Sequence, residues 1–160
     1  MNRPSSLAVS ELLAPANINL DLKSKDRDSV LAELVDKVPG LDNPESRQTL
    51  LRALHERELL HSTGIGDGIA LPHARNALVG LVDDPVLVFG RHAHGIPYDS
   101  IDSAPARLFF LLVAPTVTQH LAVLARLSRL LRDSKLRQEL LSAGSPEEII
   151  ARLREAEQRL

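Results

Sequence analysis

The chain contains no cysteine and no tryptophan, and its few aromatic residues are Phe89, Tyr98, Phe109 and Phe110. Without thiols, disulfides, thiolate zinc sites and cysteine nucleophiles are all excluded. The scarcity of aromatics removes a base-stacking platform and requires an aliphatic core. Charge of one sign is also missing: 19 Lys and Arg stand against 21 Asp and Glu, a net charge of −2. A general nucleic-acid binder relying on phosphate neutralisation is therefore not expected. The longest apolar run, Leu108 to Ala114, falls far short of the ~20 residues of a membrane span. The N-terminal stretch MNRPSSLAVSELL has no continuous apolar segment of the kind that directs secretion. A cytoplasmic protein that is not inserted in a membrane is expected.

What remains is ordinary globular material. The 160 residues, 44% hydrophobic and 25% charged, suit one compact domain with a self-sufficient core. Residues 1–10 read as a flexible N-terminus and 11–160 as the single domain. Ile18 to Leu22 alternates like a half-buried strand. Ser24 reads as the cap of a helix whose buried positions are Val30, Leu31, Leu34, Val35 and Val38, ended by Pro39-Gly40. Asn43-Pro44-Glu45 is a strong helix start, with Leu50, Leu51 and Leu54 inside and an end near Leu60. Gly64 to Gly68 reads as a turn-rich loop before the short apolar run Ile69 to Leu71. Val86–Phe89 and Leu108–Val113 read as strands covered on both faces. Thr116 or Thr118 caps a further helix with Leu124, Leu127 and Leu131 inside. Asp133 to Leu141 reads as a short helix, and Ser145-Pro146-Glu147-Glu148 opens the last one. The fold class is α/β: a three-layer sandwich with a mixed central sheet flanked by helices on both faces.

Four features can carry chemistry. Pro72-His73 places an imidazole directly after a short buried strand, where sites are commonly built. A neutral ring there is a nucleophile, or simply a strand-end histidine hydrogen-bonded to backbone. Arg57 lies seven places after Leu50 and three after Leu54, on the apolar stripe, where it either snorkels out or enters a polar pocket. His120 heads the stripe of the Thr116 or Thr118 helix, at an N-terminus that attracts anions. Ser62, Thr63 and the backbone of Gly64, Gly66 and Gly68 offer hydrogen-bond donors. The glycine cluster follows a helix and precedes a strand, so it is neither a Walker A loop nor a dinucleotide fingerprint. An imidazole nucleophile, a planar cation and a second imidazole suit phosphoryl transfer. His92 and His94 alternate on what would be a strand, but read as a surface pair rather than metal ligands. No metal and no cofactor are expected.

The stretch from Arg57 to Arg75 resembles the signature of phosphotransferase-system (PTS) enzyme IIA domains of the fructose/mannitol class (type 2). Ser-Thr-Gly-Ile-Gly-x-Gly-Ile-Ala-x-Pro-His, from Ser62 to His73, is in register, and the region near His120 matches in order and spacing. A free-standing domain of this length most resembles the nitrogen-related, regulatory branch. The resemblance implies that His73 accepts a phosphoryl group from a phosphorylated HPr-like carrier protein, with Arg57 and His120 completing the active site. It implies a phosphocarrier forming a phosphohistidine intermediate rather than an independent small-molecule enzyme. Two other roles follow from the same residues: a sugar-specific enzyme IIA passing phosphate to a IIB component, or a binding module that docks unphosphorylated on transporters or sensor kinases. His61 stands where the family usually has glycine, as does Ala74, and His61 bears on partner preference.

Overall fold

The computed structural model describes residues 8–41, 43–76, 78 and 80–160. Five helices, α1 (Arg27–Val35), α2 (Pro44–Leu60), α3 (Val117–Leu130), α4 (Ser134–Ser142) and α5 (Pro146–Gln158), surround five strands. The strands are β1 (Ile18–Asn19), β2 (Gly64–Gly66), β3 (Ile69–Ala70), β4 (Val86–Ile96) and β5 (Ala106–Val113), in the order β1-β4-β5-β3-β2. The sheet is mixed. β4 and β5 form an antiparallel pair with Phe89 opposite Phe110, while β3 runs parallel to β5 and β1 parallel to β4.

The continuous apolar runs have a simple cause: both sheet faces are covered, so alternate side chains enter different cores. Leu108, Phe110 and Leu112 pack with residues of α3, α4 and α5, whereas Phe109, Leu111 and Val113 pack with α1 and α2. Phe89 meets Phe110 edge-on at 5.1 Å in the first core, and Tyr98 meets Phe109 at 5.6 Å in the second.

Most helix starts follow their caps. Asn43, Thr116, Asp133 and Ser145 each accept a backbone N–H of the first turn. Ser24 does not cap α1. Its N–H and hydroxyl both donate to the Glu33 carboxylate, at 3.0 and 2.6 Å, and Asp26 caps the helix through Ser29 N at 2.8 Å. The first strand is correspondingly shorter than its alternation suggests, ending at Asn19.

Three further differences from the sequence reading have physical reasons. The stretch Gly64–Ala70 is a hairpin rather than a loop: Asp67 (φ 56°) and Gly68 (φ 77°) turn left-handed between β2 and β3, the turn that Asp-Gly favours. β4 continues past Phe89 to Ile96, shifting register between Arg91 and Ile96. The Arg91 side chain reaches away from the strand there to donate to the carbonyls of Leu140, Leu141 and Ala143, closing the C-terminal end of α4. Residues 1–7 of the segment read as flexible lie outside the described residues. Val9 and Ser10 of that segment are buried, because both backbone N–H groups and the Ser10 hydroxyl donate to Glu157 of α5. No helix among the described residues is long and apolar enough to cross a membrane.

Candidate functional site

His73 follows β3 and is still held to the sheet by an isolated parallel bridge to Leu112; Leu112 N donates to Pro72 O at 3.0 Å. Proline immediately before it restrains the backbone. The ring is half-buried, and its Nδ1 lies 2.6 Å from the carbonyl oxygen of Leu71. A carbonyl only accepts, so Nδ1 carries the proton and Nε2 presents a lone pair. The backbone hydrogen bond expected of a strand-end histidine is present, and it leaves Nε2 as the ring nitrogen with a free lone pair.

His120 sits in the first turn of α3, buried, with its ring 5.4 Å from that of His73 in an edge-on arrangement. Sequence separation gives no hint of this contact; it follows from packing the start of α3 against the end of β3. Burial holds His120 below the ordinary imidazole pKa. Burial also pushes His73 down to about 4, with the Arg57 and His120 charges acting in the same direction and the Leu71 hydrogen bond opposing them. His73 is therefore expected to stay neutral and nucleophilic throughout pH 5 to 8. Because an unfolded histidine titrates near ~6.5, the unfolded chain binds the proton first. The ring's contribution to stability is complete above that value and is lost as pH falls toward about 4. An NMR titration of the ring nitrogens checks the point: a midpoint near 6.5 in the folded protein would contradict it.

Arg57 occupies the last turn of α2, half-exposed, with Nη1 donating to His61 O at 2.7 Å. It lies beside the buried stripe and not on it. The stripe reads Leu50, Leu54, Glu58, a strict four-residue spacing that turns the acid inward and leaves the guanidinium at the rim. Glu58 was not singled out from the sequence, although its place four residues after Leu54 was a usable signal.

The donors expected from the glycine segment are spread differently. The Ser62 hydroxyl donates to Tyr98 O, and the Thr63 hydroxyl to Glu58, so both point into the domain. Gly64 N donates to Ser62 Oγ at 3.0 Å. A Cβ on Gly64 would lie 2.3 Å from Ser100 Oγ and 3.1 Å from Ser100 Cα, so glycine is required there for close packing. Gly66 and Gly68 flank Asp67 in the turn at the far end of β3, roughly 15 Å of extended chain from His73. The structure brings the His73 and His120 rings together, with Arg57 near enough for its charge to act on His73, and it assigns the glycine segment to the β2–β3 hairpin.

Close in the chain to Arg57 and His120, Leu59 and Leu60 on α2 and Val117 and Leu121 on α3 are all at least half exposed. A cleft of about 450 Å³ lies between α2 and the chain after His73, lined by Ala53, Glu56, Leu60, Ala74, Arg75 and Asn76 among others. His92 and His94 lie apart from this site on β4; His92 Nδ1 accepts the N–H groups of His94 and Gly95. Among the described residues no three His, Asp or Glu side chains converge as metal ligands.

A sequence profile described as "Phosphoenolpyruvate-dependent sugar phosphotransferase system, EIIA 2" matches residues 11–156. The chain is 38% identical over 146 residues to a fructose-specific EIIABC component of Bacillus subtilis, covering 90% of this chain and 22% of that longer protein. It is 32% identical over 145 residues to a nitrogen regulatory protein of Bradyrhizobium diazoefficiens, covering 89% of this chain and 92% of that one. The crystal structure of nitrogen regulatory protein IIA-Ntr from Neisseria meningitidis superposes with a TM-score of 0.78 at 30% identity, over 91% of this chain and 98% of that one.

Proposed function

The chain belongs to the EIIA 2 family of the phosphoenolpyruvate-dependent sugar phosphotransferase system, and on that premise we propose that it is a phosphocarrier whose acceptor is Nε2 of His73. The observation that carries the proposal is the Leu71 carbonyl on Nδ1, 2.6 Å away, which leaves Nε2 unprotonated beside a cation and a second imidazole. In the reaction Nε2 attacks the phosphorus of a phosphohistidine on an HPr-like carrier. The N–P bond to the donor breaks, its electron pair stays on the donor imidazole, and the Nε2–P bond forms. Positive charge appearing on the His73 ring is stabilised through Nδ1–H and Leu71 O. Arg57 and a ring N–H of His120 bind the equatorial oxygens, where most of the catalytic effect in such transfers arises. The exposed side chains of Leu59, Leu60, Val117 and Leu121 receive the donor protein. The proposed setting is the cytoplasm, beside that donor.

We assign the protein to the nitrogen-related regulatory branch, in which phosphate on His73 acts as a signal. A near-dianionic group added there changes which partner docks, and transporters or sensor kinases are the kind of target such a switch serves. The relation to the nitrogen regulatory proteins over almost their full length supports this branch. The 38% identity to the fructose EIIABC component favours a second reading, in which His73 passes phosphate to a IIB component.

Incubation with phosphoenolpyruvate, enzyme I and an HPr-like carrier tests both parts. The expected product carries one acid-labile phosphoryl group, mapped by mass spectrometry to the peptide containing His73. Absence of label, with the same donors phosphorylating a control enzyme IIA, would refute the assignment. Rapid onward transfer to a purified IIB domain would move the protein to the sugar branch.

A further inference from the structure

Glu58 is buried, 4% exposed, and three donors converge on its two carboxylate oxygens. Thr63 N–H reaches Oε1 at 2.9 Å, and the hydroxyls of Thr63 and Tyr98 both reach Oε2, the latter at 2.9 Å. Burial, followed by the adjacent Glu58 charge, holds the Tyr98 phenol well above its ordinary pKa, so it remains a donor. Burying a carboxylate costs stability, which here three hydrogen bonds offset. Its position suggests a role. Thr63 O accepts Leu71 N–H at 2.9 Å, and Leu71 O accepts His73 Nδ1–H at 2.6 Å. Three successive hydrogen bonds therefore connect Glu58 to Thr63, Thr63 to Leu71, and Leu71 to the imidazole. Glu58 also adjoins Arg57 in the last turn of α2, so the same anchor sets where that turn, and the guanidinium it carries, meets the end of β3.

We propose that Glu58 is a positioning residue for phosphoryl transfer: through Thr63 and Leu71 it holds the carbonyl that keeps the His73 proton on Nδ1 and Nε2 free. The proposal rests on His73 as the acceptor but is read out separately from it. Reach matters here, not charge. Glu58→Asp keeps the charge but withdraws the carboxylate by about 1.5 Å. Glu58→Gln keeps the reach: its oxygen still accepts Thr63 N–H, and the two hydroxyls rotate to accept from its amide.

The experiment measures two quantities in wild type, Glu58→Asp, Glu58→Gln and Tyr98→Phe. One is the His73 tautomer, from ring nitrogen chemical shifts without any donor; the other is the kcat and KM of phosphorylation by the HPr-like carrier. Glu58→Asp is expected to populate the Nε2–H tautomer and to lower kcat about ten- to a hundredfold, as a small misplacement of a reacting atom does, with KM little changed. Glu58→Gln is expected to restore both. Tyr98→Phe removes one donor but leaves the chain to His73 intact, so it is expected to lower the Tm without moving the tautomer or kcat. A wild-type tautomer and kcat in Glu58→Asp would overturn the proposal, as would a tautomer change in Tyr98→Phe equal to that in Glu58→Asp. Should Glu58→Asp not fold, the near-isosteric Glu58→Gln decides alone: a shifted tautomer in the folded variant refutes positioning by reach. Wild-type protein that is not phosphorylated on His73 at all is a different failure, that of the phosphocarrier assignment.

Discussion

His73→Ala is expected to abolish acid-labile phosphorylation completely while the chain stays folded. The loss is total because the reacting atom itself is removed: the other five histidines do not combine a carbonyl-fixed Nδ1 with an adjoining ring and guanidinium. His120 is the instructive comparison. Its ring lies only 5.4 Å away, yet no backbone carbonyl among the described residues orients it, so it is not expected to take over as acceptor. The fold tolerates the change because His73 is half-exposed at a strand end, and its neighbours Leu71 and Pro72 keep their own hydrogen bonds to Thr63 and Leu112. The measurement is phosphotransfer followed by acid treatment, with circular dichroism to verify folding. Residual acid-labile label in a folded His73→Ala would mean that the acceptor has been misidentified.

Arg57→Ala is expected to slow phosphotransfer by about a hundred- to a thousandfold, the cost of removing one preorganised donor to developing oxyanion charge, roughly 2.7–4 kcal/mol. Its folding stability is expected to change by only about 0.5 kcal/mol, the usual range for a surface substitution. The visible loss in the free protein is one exposed hydrogen bond to His61 O. Arg57→Lys keeps a positive charge but not the planar fork, so an intermediate rate is expected. A second consequence follows from electrostatics. The guanidinium contributes to the depression of the His73 pKa, so Arg57→Ala raises that pKa, though burial, the largest cause, still holds it below the ordinary value. Quench-flow kinetics and an NMR titration of the same variant test both effects. A wild-type transfer rate would reduce Arg57 to a residue that snorkels into solvent.

Both experiments concern residues that stand out in the sequence, whereas Glu58 does not, and the contrast is physical. Arg57 and Glu58 are adjacent, and helical spacing from Leu50 and Leu54 admits either to the inner face. The choice falls to Glu58 because Thr63 and Tyr98 supply donors inside the domain, and Tyr98 is 40 residues away along the chain. The Ser62 and Thr63 hydroxyls read as phosphate donors for the same reason: nothing local reveals that Tyr98 and Glu58 take them inward.

Local chemistry sufficed wherever one short segment holds all the partners. Asn43, Thr116 and Ser145 cap their own helices, the long apolar strands follow from residues buried on two faces, and His73 is marked by the proline before it and the buried run that ends there. Tertiary structure decided the rest, because the deciding partner lies far along the chain. Glu33 takes Ser24 away from capping, Glu157 draws Val9 and Ser10 into the fold across 148 and 147 residues, and α3 delivers His120 to His73. An imidazole at a strand end is written in the residues around it; which of its nitrogens keeps a free lone pair, and which ring and charge stand near it, depends on a carbonyl, a helix and a guanidinium that only the folded chain assembles.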